Sequence, residues 1–206
     1  MTIEPTGTAG TGLIDRIKNI LMTPQAEWDR IAAEPADVGK IYTGYVLPLA
    51  AFSALCGFIG MALIGVFGWR VGVVPGLIGA VIQTVMGLCS VFIIAFVANA
   101  LAPTFGSRQD MGQAHKLAAY GSTAFFAAGV FAIFPPLAIL ALVGLYSFAL
   151  IYIGLPRLMA TPEDKRIGYL ATIIVIAIVI GIVLNYVVAQ ILLMVPGYRP
   201  PNPFAY

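Results

Sequence analysis

The stretch Gly168–Val195, GYLATIIVIAIVIGIVLNYVVAQILLMV, contains no Asp, Glu, Lys or Arg and consists largely of Ile, Val, Leu and Ala. A helix needs about 20 predominantly apolar residues to cross a bilayer, and this run is longer. Lipid is its natural solvent. Four further stretches qualify: roughly Tyr45–Trp69, Val74–Leu101, Leu117–Phe134 and Leu137–Leu155. The third and fourth are separated only by Pro135-Pro136, which interrupts the helical ladder, so they read as a tight helical hairpin. The expected fold is an all-α integral membrane bundle of five transmembrane helices.

The whole composition agrees. Of 206 residues, 60% are hydrophobic and only 10% charged, against about 25% charged in a soluble domain. So little charge excludes a disordered chain and an ordinary soluble enzyme. The net charge of +2 is no basic footprint for nucleic acid. Cys56 and Cys89 sit in apolar runs, where a free cysteine behaves as a small hydrophobe. The first residues lack the basic and apolar regions of a cleaved signal peptide. Residues 1–12 are expected to be disordered, 13–40 to form cytoplasmic amphipathic helices, 41–195 the transmembrane domain, and 196–206 a Pro-rich external tail.

Placing every charge sets an orientation. None is expected inside a span. Arg16, Lys18, Arg30 and Lys40 precede span one, Arg108 and Lys116 lie in the second loop, and Arg157, Lys165 and Arg166 lie in the fourth. The other side has only Arg70 and Arg199. Basic residues concentrate in cytoplasmic segments, so the N-terminus is expected in the cytoplasm and the C-terminus in the periplasm.

The N-terminal segment carries two helices. Leu13, Ile14, Ile17, Ile20 and Leu21 share one face at about 100° per residue, with Asp15, Arg16, Lys18 and Asn19 opposite. This helix lies on the membrane surface or packs on the protein's own loops. In the second, Thr23 is placed as N-cap and Pro24 at the first position; Trp28 belongs either at the headgroup level or in packing. Arg16, Lys18, Trp28, Arg157, Lys165 and Arg166 form a candidate cytoplasmic docking surface. The capping pattern Thr161-Pro162-Glu163-Asp164 opens the fifth span.

No hydrolase, metalloprotease or nucleotide-binding motif occurs, and His115 reads as a surface or interfacial histidine without metal-ligand companions. No cofactor, metal or catalytic residue is expected. Gly76, Gly79, Gly87 and Gly181 lie on small-residue faces that let helices approach closely. Gln83, Asn99, Asn185 and Gln190 are costly in hydrocarbon without partners. Together with Ser90, which shares a face with Gln83, they form a candidate polar intramembrane site. They either bond helix to helix or line a polar cavity.

Four segments carry a resemblance. They are LIDRIKNILMTPQAEWDRIAAE (Leu13–Glu34), YVLPLAAFSAL (Tyr45–Leu55), KLAAYGST (Lys116–Thr123) and GLYSFALIYIGLPRLMATPEDKRIGYL (Gly144–Leu170). In this order they resemble the bacterial branch of the Yip1 family. The resemblance implies five spans with a cytoplasmic N-terminus in the bacterial inner membrane. Eukaryotic members act in early secretory traffic and are linked to prenylated Rab-type GTPases and to organising membranes; their D-L-Y-G-P motif is absent from this N-terminal region. The expected function is a non-enzymatic membrane protein that organises its membrane or scaffolds a partner. The alternative is a translocator of a neutral solute or lipid on the polar faces of spans two and five. The expected partners are membrane lipids, a protein on the cytoplasmic face, and a second copy of the chain.

Overall fold

A computed structural model describes residues 12–65 and 70–198. All regular structure among them is helical. Five helices are long and apolar enough to cross a membrane: Val38–Ile64, Val73–Phe105, Met111–Ile133, Ile139–Met159 and Glu163–Leu193. These are spans one to five. Two short helices precede them, α1 (Leu13–Met22) and α2 (Pro24–Ala33). The expected N-terminal disorder, the end of the tail and Trp69 lie outside the described residues.

Span one starts earlier than its apolar run because Asp37 caps it, accepting from the Lys40 N–H at 3.1 Å. A π-helical turn over Tyr42–Val46 comes just before Pro48. Pro48 has no N–H and its ring crowds the preceding turn, and a widened turn accommodates both. Span one ends at Gly65, whose φ of 82° favours glycine.

Span two packs against spans one, three and five, and span three against span four. The expected hairpin is present, but its arms are not α-helical throughout. Ala128–Ile133 and Pro135–Leu145 are 3₁₀-helical, on either side of an extended Phe134. The tighter 3₁₀ helix suits the close quarters at this end. A side chain at Gly60 of span one would overlap the Ala132 carbonyl.

Two expected caps behave differently. The Thr23 hydroxyl donates back to Asn19 O at 3.1 Å, closing α1 rather than opening α2. Thr161 is buried and donates to Leu155 O at 3.2 Å while accepting from Ser107, so it ends span four and leaves Pro162 before span five. In both cases a carbonyl at a nearby helix end competes for the hydroxyl.

The core gathers at the end of the bundle where α1 and α2 dock, around Trp28, Ile31, Leu117, Leu150 and Leu155, with Tyr169 from span five. Large apolar side chains elsewhere point outward, including Phe96, Val81 and Ile182. In water such a surface would be an aggregation hazard; in a bilayer it faces lipid tails. Span five is the least enclosed of the spans, with 11% of its most apolar window buried.

Candidate functional site

Two sites emerge, one at the charged end of the bundle and one at apolar depth. At the charged end, α1 and α2 are clamped onto the spans. The Trp28 ring is fully buried, edge-on to Tyr120 at 6.4 Å between centroids. It fits because residue 154 is glycine: a Cβ there would lie 2.9 Å from the ring. Arg16 donates to Glu27 at 2.8 Å and to Glu34 at 2.5 Å, with its guanidinium 5.6 Å from the Tyr120 ring centroid. Burial pulls the Arg16 pKa down, but the hydrogen bond and charge of Glu34 outweigh it and the net shift is upward. The guanidinium is permanently charged.

Lys116 donates to Ile31 O at 2.8 Å and also to Glu34 O. It thus caps the carbonyl end of α2 from span three, where the helix dipole favours a cation. Arg157 donates from Nε to Asp29 at 2.6 Å and from Nη1 to its own Ile153 O. The Tyr146 hydroxyl reaches Leu21 O at 3.3 Å.

This geometry corrects several expectations. Arg16 and Trp28 are buried and offer no docking surface. Arg157 is paired with Asp29, and Arg166 lies over the Tyr152 ring at 5.2 Å. Of the six docking candidates, Lys18 and Lys165 are exposed. Lys116 is not in a loop: it is buried inside span three, which therefore carries a charge. His115 is buried too, 3.1 Å from the Tyr42 hydroxyl. Lys116 and His115 look solvent-facing on an isolated helix, but α2 covers the first and span one the second.

At apolar depth, a cavity of about 480 Å³ lies between spans two, three, four and five. Its polar residues are Ser90, Ser122, Ser147 and Asn185. Ser147 Oγ accepts from the Phe125 N–H at 2.8 Å, and Ser122 Oγ donates to Ala118 O at 2.7 Å. Asn185 donates to Gly181 O at 2.9 Å, which leaves its side-chain oxygen as an acceptor. Lining residues Phe125, Leu142 and Ile178 are each more than half exposed on the lipid-facing surface.

The candidate amides do not form one site. Ser90 and Asn185 line the cavity. Gln83 is exposed and faces Gly57 of span one. Gln190 is exposed near the far end of span five. The Asn99 side-chain oxygen is buried without a partner among the described residues. Gln83 and Ser90 share a broad helix face, yet neighbouring spans divide that face between two surroundings. The glycines divide as well. A Cβ at Gly76 would crowd Ala62 and Phe58, at Gly79 would meet Leu192, and at Gly87 would meet Ala50 and Phe126. Gly181 has open space and lines the cavity instead of packing a helix.

Sequence reasoning missed Glu27, Glu34 and Lys116 as one network. The available signal was the lysine opening the KLAAYGST segment beside an apolar run, together with acidic residues at both ends of α2. Among the described residues, no group of three His, Cys, Asp or Glu side chains could hold a metal ion. Two of the cavity's hydroxyls, those of Ser122 and Ser147, are already bonded to backbone. Its wall is largely apolar, with Ser90 and the Asn185 side-chain oxygen as polar groups.

The model of the Yip1 domain matches residues 18–184, most of the chain. This chain belongs to the Yip1 family. Among curated relatives it is similar to the inner membrane protein YohC of Escherichia coli K12. The two are 27% identical over 188 residues, covering 85% of this chain and 94% of YohC. YohC of the O6:H1 strain CFT073 matches with the same identity and coverage. No solved structure matches. The Yip1 domain thus takes in the second half of α1, all of α2 and most of the five-span bundle.

Proposed function

We propose that this Yip1-family protein is a non-enzymatic, lipid-interacting component of the bacterial inner membrane that organises its surroundings by holding a lipid hydrocarbon chain in the lateral cavity. The carrying observation is the cavity itself. It lies between spans, its lining is overwhelmingly apolar, and Phe125, Leu142 and Ile178 belong to both its wall and the lipid-facing surface. Its volume falls in the range of about 300–1,000 Å³ typical of ligand sites. Hydrocarbon is what surrounds such a cavity, and dispersion contacts with its walls favour an ordered chain over an empty space.

The N-terminus is assigned to the cytoplasm, because nine of the eleven basic residues, all but Arg70 and Arg199, fall in α1, α2 or at and near the span ends on the same side. The inner-membrane location is supported by the similarity to YohC. Gln83 lies away from the cavity, so the polar path on which translocation would depend has no continuous lining.

Native mass spectrometry on protein extracted with its lipids tests the proposal. The expected result is a retained lipid that Gly181→Leu displaces, since a side chain at Gly181 grows into open space at the cavity wall. A protein that carries no lipid, or a variant that retains as many lipids as the parent, overturns the reading.

A further inference from the structure

A second pocket, of about 430 Å³, lies between α1, the Pro35–Lys40 segment, the first turns of span one and Tyr120 of span three. It is separate from the lateral cavity, and no residue lines both. Its polar lining is Arg16, Glu34, Asp37, Lys40, Tyr45 and Tyr120. Three of these residues are more than nine-tenths buried: Arg16 is 8% exposed, Tyr120 7% and Tyr45 5%. The Tyr45 hydroxyl is bonded to Thr123 at 2.7 Å. The Tyr120 hydroxyl has no hydrogen-bond partner among the described residues, although the residue lines the pocket.

Depth points to the ligand. From Tyr45 to the end of span one at Ile64 a helix rises about 30 Å, the thickness of the hydrocarbon core. Tyr45 therefore marks the boundary between hydrocarbon and headgroups, where tyrosine is enriched. The Lys40 side of the pocket lies among the headgroups, while Gly44, next to Tyr45 in the chain, lies at the boundary where the acyl chains start. A Cβ added at Gly44 meets nothing within 4 Å, so this wall is open.

Charge narrows the choice. The pocket holds two cations, Arg16 and Lys40, and two carboxylates, Glu34 and Asp37. Arg16 is committed to Glu27 and Glu34. Lys40 and Asp37 form a rim pair at 3.2 Å with both side chains exposed, and such a pair opens at little cost. A purely anionic headgroup would satisfy Lys40 and leave the carboxylates facing a phosphate. A quaternary amine has no N–H to give them. A primary ammonium joined to a phosphate complements both signs.

We propose that this pocket binds the headgroup of a zwitterionic, primary-amine phospholipid, with its phosphate on Lys40 and the Tyr120 hydroxyl and its ammonium on Asp37 and Glu34. The glycerol leaves past Gly44 into the leaflet. The π-helical turn over Tyr42–Val46 brings Gly44 and Tyr45 onto the pocket wall, and such turns recur at functional sites.

The test uses the full-length protein in detergent, incubated separately with phosphatidylethanolamine, phosphatidylcholine and phosphatidylglycerol. Lipid retained through gentle delipidation is read by native mass spectrometry. The expected result is severalfold greater retention of phosphatidylethanolamine than of either other lipid. Gly44→Phe should abolish that preference by filling the open wall. Tyr120→Phe, which keeps the ring and removes only the hydroxyl, should reduce it. Emission from Trp28 in a Trp69→Phe background reports that α1 and α2 stay docked in each variant. Gly181→Leu, in the lateral cavity, should leave the preference intact, which separates this site from that one. Equal retention of phosphatidylethanolamine and phosphatidylglycerol overturns the proposal. So does a docked Gly44→Phe protein with its preference unchanged.

Discussion

Arg16 on α1 donates to Glu27 on α2 across the tight turn between the two helices, at 2.8 Å, with the Glu27 side chain only 2% exposed. A polar pair has been folded inward against Tyr120, and it joins two helices that would be marginal alone. Isolated helices shorter than about 12–15 residues are barely stable in water. α1 and α2 have 10 residues each, so their stability comes from this pairing and from Trp28.

Removing one partner of a buried pair leaves an uncompensated charge, while replacing both with apolar residues is often neutral. Glu27→Ala is expected to cost about 2–4 kcal/mol, with Glu34 still holding Arg16 in part. The double variant Arg16→Met with Glu27→Leu should recover most of the loss. Thermal unfolding in one detergent checks both, and a double variant no better than Glu27→Ala would contradict the account.

Lys116 fastens α2 to span three through two backbone carbonyls. Hydrogen bonds to charged groups are worth about 1.5–3 kcal/mol. Lys116→Met should therefore destabilise the protein by about 2 kcal/mol and speed proteolytic cleavage between residues 30 and 40. Unchanged cleavage would show that the α2 end is held by other contacts.

Gly154 is the seat of the Trp28 ring. Overpacking a filled site costs about 1–3 kcal/mol, and here the listener is a fluorophore. In a Trp69→Phe background, Gly154→Leu should shift Trp28 emission to the red as the ring is pushed toward solvent. An unshifted spectrum would mean that the ring is accommodated elsewhere in the core.

Asp37 accepts from the Lys40 N–H, and the Lys40 ammonium lies beside it, so its carboxyl is held below its ordinary value. A lowered folded-state pKa stabilises the ionised form. The contribution is present above the ordinary pKa of about 3.9 and is lost as pH falls through the lowered folded value. Amide exchange at Ile41, corrected for intrinsic rate, should show the first turn of span one loosening below about pH 4. Asp37→Asn keeps a capping side chain and should remove that pH dependence.

What the sequence alone determined is the part governed by local rules. Five apolar stretches dictate five membrane helices, because in hydrocarbon every backbone group must be satisfied within its own segment. Pro135-Pro136 dictates the hairpin between spans three and four, because neither residue can donate to the helical ladder. Both features depend on residues close together in the chain. Tertiary structure decided the environment of Arg16, Trp28, His115 and Lys116. Each is surrounded by elements distant in sequence, such as Glu34 opposite Lys116, and periodicity on one helix carries no information about what covers it. The same holds for the lateral cavity. Ser90 and Asn185 come together there, and Gln83 does not, because the packing angles of four spans decide which part of a helix face meets a gap. Hydropathy specifies that a helix enters the membrane; the shapes of facing side chains, such as glycine beneath Trp28, specify what it meets inside.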